Sequence, residues 1–407
     1  NLACKQHANC KFSISKTVME TIHKLLSFIP DKALEAFAID TRVNKSAKKL
    51  HGQLLFKLLF YCMVTEKDNS LRGLQSALES AVFRTVSSIP GEFTVSHSSI
   101  SERLNVINVD FFEKIFKYCL AAYKNTASAL NKDIVRFDST IISMSTKLMN
   151  IGYNLKGGDA ENYRLIKFTI GYSDLPDCIC FYKDQTYNSE NKALAETILA
   201  NQKTTTQINV FDRGITSRDN YDRLTDKEIS FISRINPGAK QEVHLANTIT
   251  KPIQTETLTI TGDSWVYLFT MHKKRSNHPV RLIEAVRKDN NEKIIFITNR
   301  KDIENTEVAA IYKSRWDIEV FFKFIKQHLN FSHLLNRTEN GIKVMMYVTM
   351  TVAILLTEYK KLRKLTGYKI PKRKFAQELE NDILYNFVLL CNGDPTIAKR
   401  LIYPNSS

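Results

Sequence analysis

The stretch YKSRWDIEVFFKFIKQHLNF, residues 312–331, decides how this chain is read. It reads as one helix on which Arg315, Glu319 and Lys326 follow Tyr312 at offsets of 3, 7 and 14 residues. At about 100° per helical residue the four share an arc of roughly 60°. One face then carries a carboxylate flanked by an arginine, a lysine and a phenol. Beside it runs an apolar stripe of Ile311, Ile318, Phe321, Phe322, Ile325 and Leu329, suited to packing the helix onto a core. The polar face has two readings. It is a solvated edge laced with i,i+3 and i,i+4 ion pairs, or a carboxylate for metal beside cations for phosphate. The upstream sequence separates them.

From residue 133 the pattern is that of strands. IVRFDSTIISM is a candidate strand carrying Asp138, followed by RLIKFTIGY and DCICFYKD with a turn containing Pro176 between them. A helix, NSENKALAETILANQ, leads to the short strand QINVFD, which ends at Asp212, and then to EISFISRI. After Asp212 come Arg213 and Gly214, the glycine allowing a tight turn. This order predicts an α/β fold with a mixed sheet. Residues 236–292 break the series with ETLTIT, SWVYLFTM and PVRLIEAVRK and no helix, as a β-rich insertion would. IIFITNR then resumes the series and leads into the helix at 312.

The flanks are helical. Residues 14 to about 130 show periodic apolar positions in SKTVMETIHKLLSFI, GQLLFKLLFYCMVTE and FFEKIFKYCLAAYKN. Within FTVSHSSISERLNVIN, the residues Ser96, His97, Ser98, Ser99 and Arg103 either meet a DNA backbone, as in a helix-turn-helix, or cap a structural helix. Arg42, Lys45, Lys48 and Lys49 are a phosphate contact or a solvated loop. Beyond 340 the chain is helical again, and KKLRKLTGYKIPKRK at 360–374 carries eight lysines and arginines. That strip faces DNA or solvent.

A formal charge of +16 over 407 residues and a pI near 9.4 draw polyanions, with nucleic acid ahead of anionic membrane. The best apolar run, Val344 to Leu356, is too short to span a bilayer, carries two threonines and reads as a buried helix. No signal peptide is read, and a start at Asn1 rather than Met implies that the natural beginning lies upstream. Seven cysteines suit an intracellular chain. Cys4, His7 and Cys10 are part of a zinc site or of a disordered start. Cys178 and Cys180 alternate on a strand and point to opposite faces.

Asp138 thus lies within or just past the first strand, Asp212 closes the fourth, and Glu319 sits on a helix over the same sheet. Acidic groups so placed can hold two divalent ions about 4 Å apart for phosphodiester chemistry, and hard oxygen ligands select Mg2+, with Mn2+ as a substitute. At this point the chain resembles bacterial insertion-sequence transposases of the DDE type, the insertion sequence four family. The resemblance rests on the Tyr-x2-Arg-x3-Glu-x6-Lys spacing, FDRG at 211–214, ITNR at 297–300 and Asp138 in RFDST, and it covers about 131–345. One departure is Ile215, where relatives commonly carry an aromatic residue.

The resemblance implies an RNase H-like fold interrupted by a β insertion. It implies a homodimer bound to double-stranded DNA, at the transposon's terminal inverted repeats and at the target. It also implies cut-and-paste chemistry through a hairpin, in a cytoplasmic, nucleoid-associated protein that does not act at a membrane. Carried over, Asp138, Asp212 and Glu319 hold metal. Tyr312, Arg315 and Lys326, with Arg213, grip phosphate. Trp265 either stacks a flipped base or packs in its strand. The expected organisation is a helical DNA-binding region (1–130), a catalytic core in two parts (131–235 and 293–345) around the insertion (236–292), and a basic helical region (346–407) for DNA contact or dimerisation. The rivals are a catalytically silent DNA-binding relative and an RNase H-fold nuclease without joining activity.

Overall fold

The computed structural model describes residues 29–65, 70–87, 89, 93–124, 133–147, 151–154, 162–247, 249, 251–270 and 272–402. Cys4, His7, Cys10 and most of the helix expected over 15–29 lie outside the described residues. The chain divides into two compact units, Ser128–Lys323 on one side and Asn1–Ala127 with Phe324–Ser407 on the other.

In the discontinuous unit, the N-terminal helices are α1 (Asp31–Thr41), α2 (Gly52–Val64), α3 (Leu71–Glu79), α4 (Ala81–Val86), α5 (His97–Val106) and α6 (Asp110–Lys124). Serine begins α5: Ser96 accepts the Ser99 N–H at 3.2 Å, as an N-cap should. Arg103 gives its guanidinium to the carbonyls of Val43 and Leu50. It is thereby committed to holding the bundle, which favours the structural reading of this segment. The C-terminal helices of this unit are α11 (Glu339–Leu362), α12 (Lys369–Leu390) and α13 (Pro395–Ile402). α11 is long and apolar enough to cross a membrane, but 83% of its apolar window is buried against its neighbours, α2, α5, α6 and α12. Asn340, in its first turn, donates to the carbonyls of Leu104 and Ile107 at 3.0 and 2.7 Å, satisfying the open end of α5.

The other unit is built on a 10-stranded sheet. Its strands are β1 (Ile134–Ser145), β2 (Tyr163–Tyr172), β3 (Pro176–Tyr182), β4 (Ile208–Phe211), β5 (Ser230–Ile235), β6 (Gln241–Asn247), β7 (Ile253–Gln254), β8 (Leu258–Leu268), β9 (Val280–Arg287) and β10 (Lys293–Thr298). Their order is β3-β2-β1-β4-β5-β10-β9-β8-β6, with β7 on β8. β1, β2 and β3 are antiparallel, while β4 and β5 run parallel to β1. This is the RNase H-like arrangement. Two helices make the parallel crossovers, α7 (Glu190–Ala200) and α8 (Arg218–Asp226).

Pleat alternation sorts the faces. Phe137, Phe211 and Phe231 join Leu194 and Ile198 of α7 in one core. Val210, Ile232 and Phe296 join the other core, under α9 (Asn305–Lys313). The runs ETLTIT and SWVYLFTM form one strand, β8, bent by an irregularity between Ile260 and Gly262. The strands from 241 to 287 continue the sheet beyond β10. Asp263 and Arg281, both buried, form a bidentate pair between β8 and β9 at 3.0 and 2.6 Å, and Arg281 also holds the carbonyl of Ile303 ahead of α9. A buried pair of this kind fixes register more than it adds stability.

Candidate active site

β1 and β4 are parallel neighbours in which Phe137 stands opposite Phe211. One residue on, Asp138 and Asp212 therefore share the face opposite α7, on strands about 4.8 Å apart. Burial raises the Asp138 carboxyl to about 6, with Glu190 and Glu319 adding to it against the Ser139 N–H and the charge of Arg315. That N–H donates to Asp138 Oδ1 at 2.8 Å. Asp212 is also partly buried, which pushes it up. The Tyr312 hydroxyl, the Arg213 N–H and the Arg315 and Arg213 charges outweigh that and hold it below the usual carboxylate range.

The helix expected as a single rod is two. α9 ends at Lys313, a tight turn at Ser314 and Arg315 closes through an Arg315 N–H to Tyr312 O bond of 3.0 Å, and α10 runs Trp316–His328. A turn wound three residues at a time displaces the residues after it from the 100° register. Tyr312 and Glu319 consequently do not share one ideal helix face. A tertiary bond brings Tyr312 to Asp212 all the same, whereas Glu319 is held locally by Arg315. Tyr312 donates its hydroxyl to Asp212 Oδ1 at 2.7 Å, and Arg315 donates to Glu319 Oε1 at 2.6 Å. Arg136 of β1 anchors the turn, donating to Ser314 O at 2.9 Å and pairing with Asp317 at 3.3 Å. The apolar stripe is buried as expected, and Phe321 stacks on Tyr172 of β2 at 4.8 Å.

The other expected site residues fall as follows. Arg213 is exposed and donates to Asn236 Oδ1 at 3.3 Å. Lys326 is exposed in the last turn of α10. Trp265 is half-buried on β8, opposite Leu245 and Arg281, on the face away from Val266 and Leu268. Ile215 is core, 1% exposed beside α7. Gly214 does not take the left-handed conformation that a glycine-dependent turn would need. Its requirement is space, because an added Cβ would stand 3.0 Å from Glu190 Cβ. Beside Tyr312 and Arg315 opens a cleft of about 580 Å3, edged by Thr257, Arg287, Phe296, Lys313 and the exposed Trp316.

Arg136 and Arg234, which stands 5.9 Å over the Tyr312 ring, are contributors that sequence reading missed. Nothing in the spacing marks them, since each acts across the sheet. Lys167 was detectable, as a lysine inside the otherwise apolar RLIKFTIGY.

The donor set suits a hard divalent cation: two carboxylate side chains at one level of adjacent strands, Asp138 inside β1 and Asp212 just past β4, the first pushed up by burial. Among the described residues no three of His, Cys, Asp and Glu stand close enough to hold one ion. Two of the three acids are side by side, and the third is engaged by Arg315.

Residues 130–356 match the family model described as Transposase DDE domain. A protein of Sinorhizobium fredii named as a transposase is 26% identical over 157 residues, 39% of this chain and 44% of its own length. A Synechocystis protein named as a transposase for insertion sequence element IS4SA is 28% identical over 230 residues, 55% of this chain and 59% of its own length. The matches thus span about half the length of these relatives. A cryo-EM structure of the piggyBac transposase synaptic complex with hairpin DNA aligns at a TM-score of 0.47 and 10% identity, over 96% of this chain and 84% of that one. The family model alone covers more than half of the sequence, and the chain belongs to the DDE transposase family.

Proposed function

We propose that this chain is the transposase of a bacterial insertion sequence, cutting the element's ends and joining them to target DNA with Asp138, Asp212 and Glu319 as its acidic triad. The observation that carries the reading is that Asp138, inside β1, and Asp212, just past the end of β4, stand at one level of adjacent parallel strands, with Tyr312 bonded to one and Arg315 beside both. Asp138 and Asp212, joined by Glu319, would hold a divalent cation, Mg2+ with Mn2+ as a substitute, and bound there it would supply activation of a water or 3′-hydroxyl and stabilisation of the leaving oxygen.

The protein's own groups do the rest. Tyr312 orients Asp212 and keeps it ionised. The buried Nε–H of Arg315 has no partner among the described residues, a donor suited to a phosphate oxygen. Exposed Arg213 and Lys326 add sequence-independent grip. Cleavage of one strand, attack by its 3′-hydroxyl to form a hairpin, reopening and joining would follow on a homodimer holding two ends, in the cytoplasm.

The test is a cleavage assay on labelled duplex carrying the element's own inverted repeats, with Mg2+, Mn2+ or EDTA. Metal-dependent nicks and hairpins, absent in Asp138→Ala, are the expected result. End binding without strand breakage under both metals would overturn the reading in favour of a silent DNA-binding protein.

A further inference from the structure

The face of the sheet opposite the site holds a polar chain that the chemistry above does not use. Lys167 is 1% exposed in the middle of β2, where an unpaired ammonium would be costly. It donates to Asn188 O at 2.6 Å and to Glu190 Oε1 at 2.8 Å. The other oxygen of Glu190 accepts the Ser139 hydroxyl at 2.8 Å. An ionised carboxylate only accepts, so Ser139 spends its proton there, and Thr169, 2.9 Å away, donates to Ser139 in turn. The backbone N–H of the same Ser139 holds Asp138.

Glu190 also reaches the second aspartate's turn. Its stem fills the space beside Gly214, two residues past Asp212. Next to it, Asn191 Oδ1 accepts the N–H groups of Thr216 and Ser217 at 2.6 and 2.8 Å, and its amide donates to Thr216 Oγ1 at 2.8 Å. The start of α7 is therefore bonded to Ser139, next to Asp138 on β1, and to the loop that follows Asp212.

We propose that Glu190, held by the buried Lys167, is a positioning residue that sets Asp138 and Asp212 from behind the sheet. This rests on the reading of Asp138 and Asp212 as metal ligands. Glu190 touches neither DNA nor metal in this scheme. It fixes Ser139, and so the Asp138 carboxylate, and it braces the turn that aims Asp212.

The decisive variant removes both charges at similar volume, Lys167→Met with Glu190→Leu, because Glu190→Leu alone strands the buried Lys167 ammonium. Three quantities are read: melting temperature, Mn2+ affinity by calorimetry without DNA, and single-turnover cleavage of bound end duplex. The expected double variant melts at or above the wild type and binds the duplex normally. Its Mn2+ affinity and cleavage rate each fall roughly 10–100-fold, as for other partners that orient a ligand. Ser139→Ala, which leaves the ion pair whole, lowers both by about 10-fold. Gly214→Ala, which displaces the Glu190 stem, shifts both in the same direction. A double variant with wild-type Mn2+ affinity and cleavage would make the pair purely structural and overturn the proposal. A wild-type protein that binds no Mn2+ and cuts nothing overturns the metal-site reading instead, and the positioning role falls with it.

Discussion

Asp138 and Asp212 leave adjacent parallel strands at the same register, yet they sit in opposite electrostatic surroundings. Asp138 has burial, one backbone N–H, the charge of Arg315 and two nearby carboxylates, and burial prevails, pushing it up to about 6. Asp212 has a phenol, a backbone N–H and two guanidinium groups, and is held down. Strand order places two similar acids, and what packs over each decides its charge. Without metal the first readily accepts a proton near neutral pH and the second stays ionised.

The comparison can be broken at four strengths. Glu319→Gln removes the third acid while keeping its shape. Cleavage should fall by more than the roughly 100-fold seen when a ligand's partner is lost, with end affinity, measured by gel shift, nearly intact. Lost binding with residual cleavage would make Glu319 structural. Arg315→Ala, which removes the cation shared by both aspartates and the partner of Glu319, should cut hairpin formation by about 10–100-fold. If its main effect is a large fall in melting temperature, the ion-pair reading of the helix edge wins.

The two aspartates should also respond oppositely to pH in EDTA. Asp138 binds its proton more tightly folded than unfolded, so the protein loses stability as pH rises from the usual 3.8 through about 6. Asp138→Asn removes that loss and should stabilise the metal-free protein at pH 7 by about 2 kcal/mol, allowing for solvent screening. Denaturant titrations at pH 4 and 7 read the difference, and equal stability at both would refute it. Asp212 works the other way, contributing stability above 3.8 that is lost as pH falls through its lower folded value. Tyr312→Phe should cost about 1–2 kcal/mol at pH 7, with the deficit vanishing in strong acid.

Sequence reading reached what local pattern encodes. The strand carrying Asp138, the short strand ending at Asp212, the crossover helix and the buried stripe from Ile311 to Leu329 all announce themselves through periodicity. It misread the helix at 312, because the tight turn at Ser314 and Arg315 is imposed by Arg136 from another strand. The residue types there are ordinary helix formers. The turn it expected after Asp212 is present at Arg213 and Gly214, but the space taken by the Glu190 stem, from a segment 24 residues away, is a constraint it could not foresee. Lys167 was conspicuous in its apolar strand, but its partner, Glu190 at the start of α7, is 23 residues on and could not be named until α7 was packed on the sheet.

The sheet carries one more consequence. Because β9, β8 and β6 extend it from β10 one antiparallel neighbour at a time, the outer half is a meander that lengthens or shortens at its free margin. Six of the seven β6 residues are exposed, and an irregularity between Val243 and Leu245 blunts that margin against further pairing. A graft at the β6 margin would enter where the backbone has one neighbour instead of two. For anyone building a reporter or a tethered targeting module onto this scaffold, that rim is the attachment point farthest, in strand order, from the β1–β4 junction.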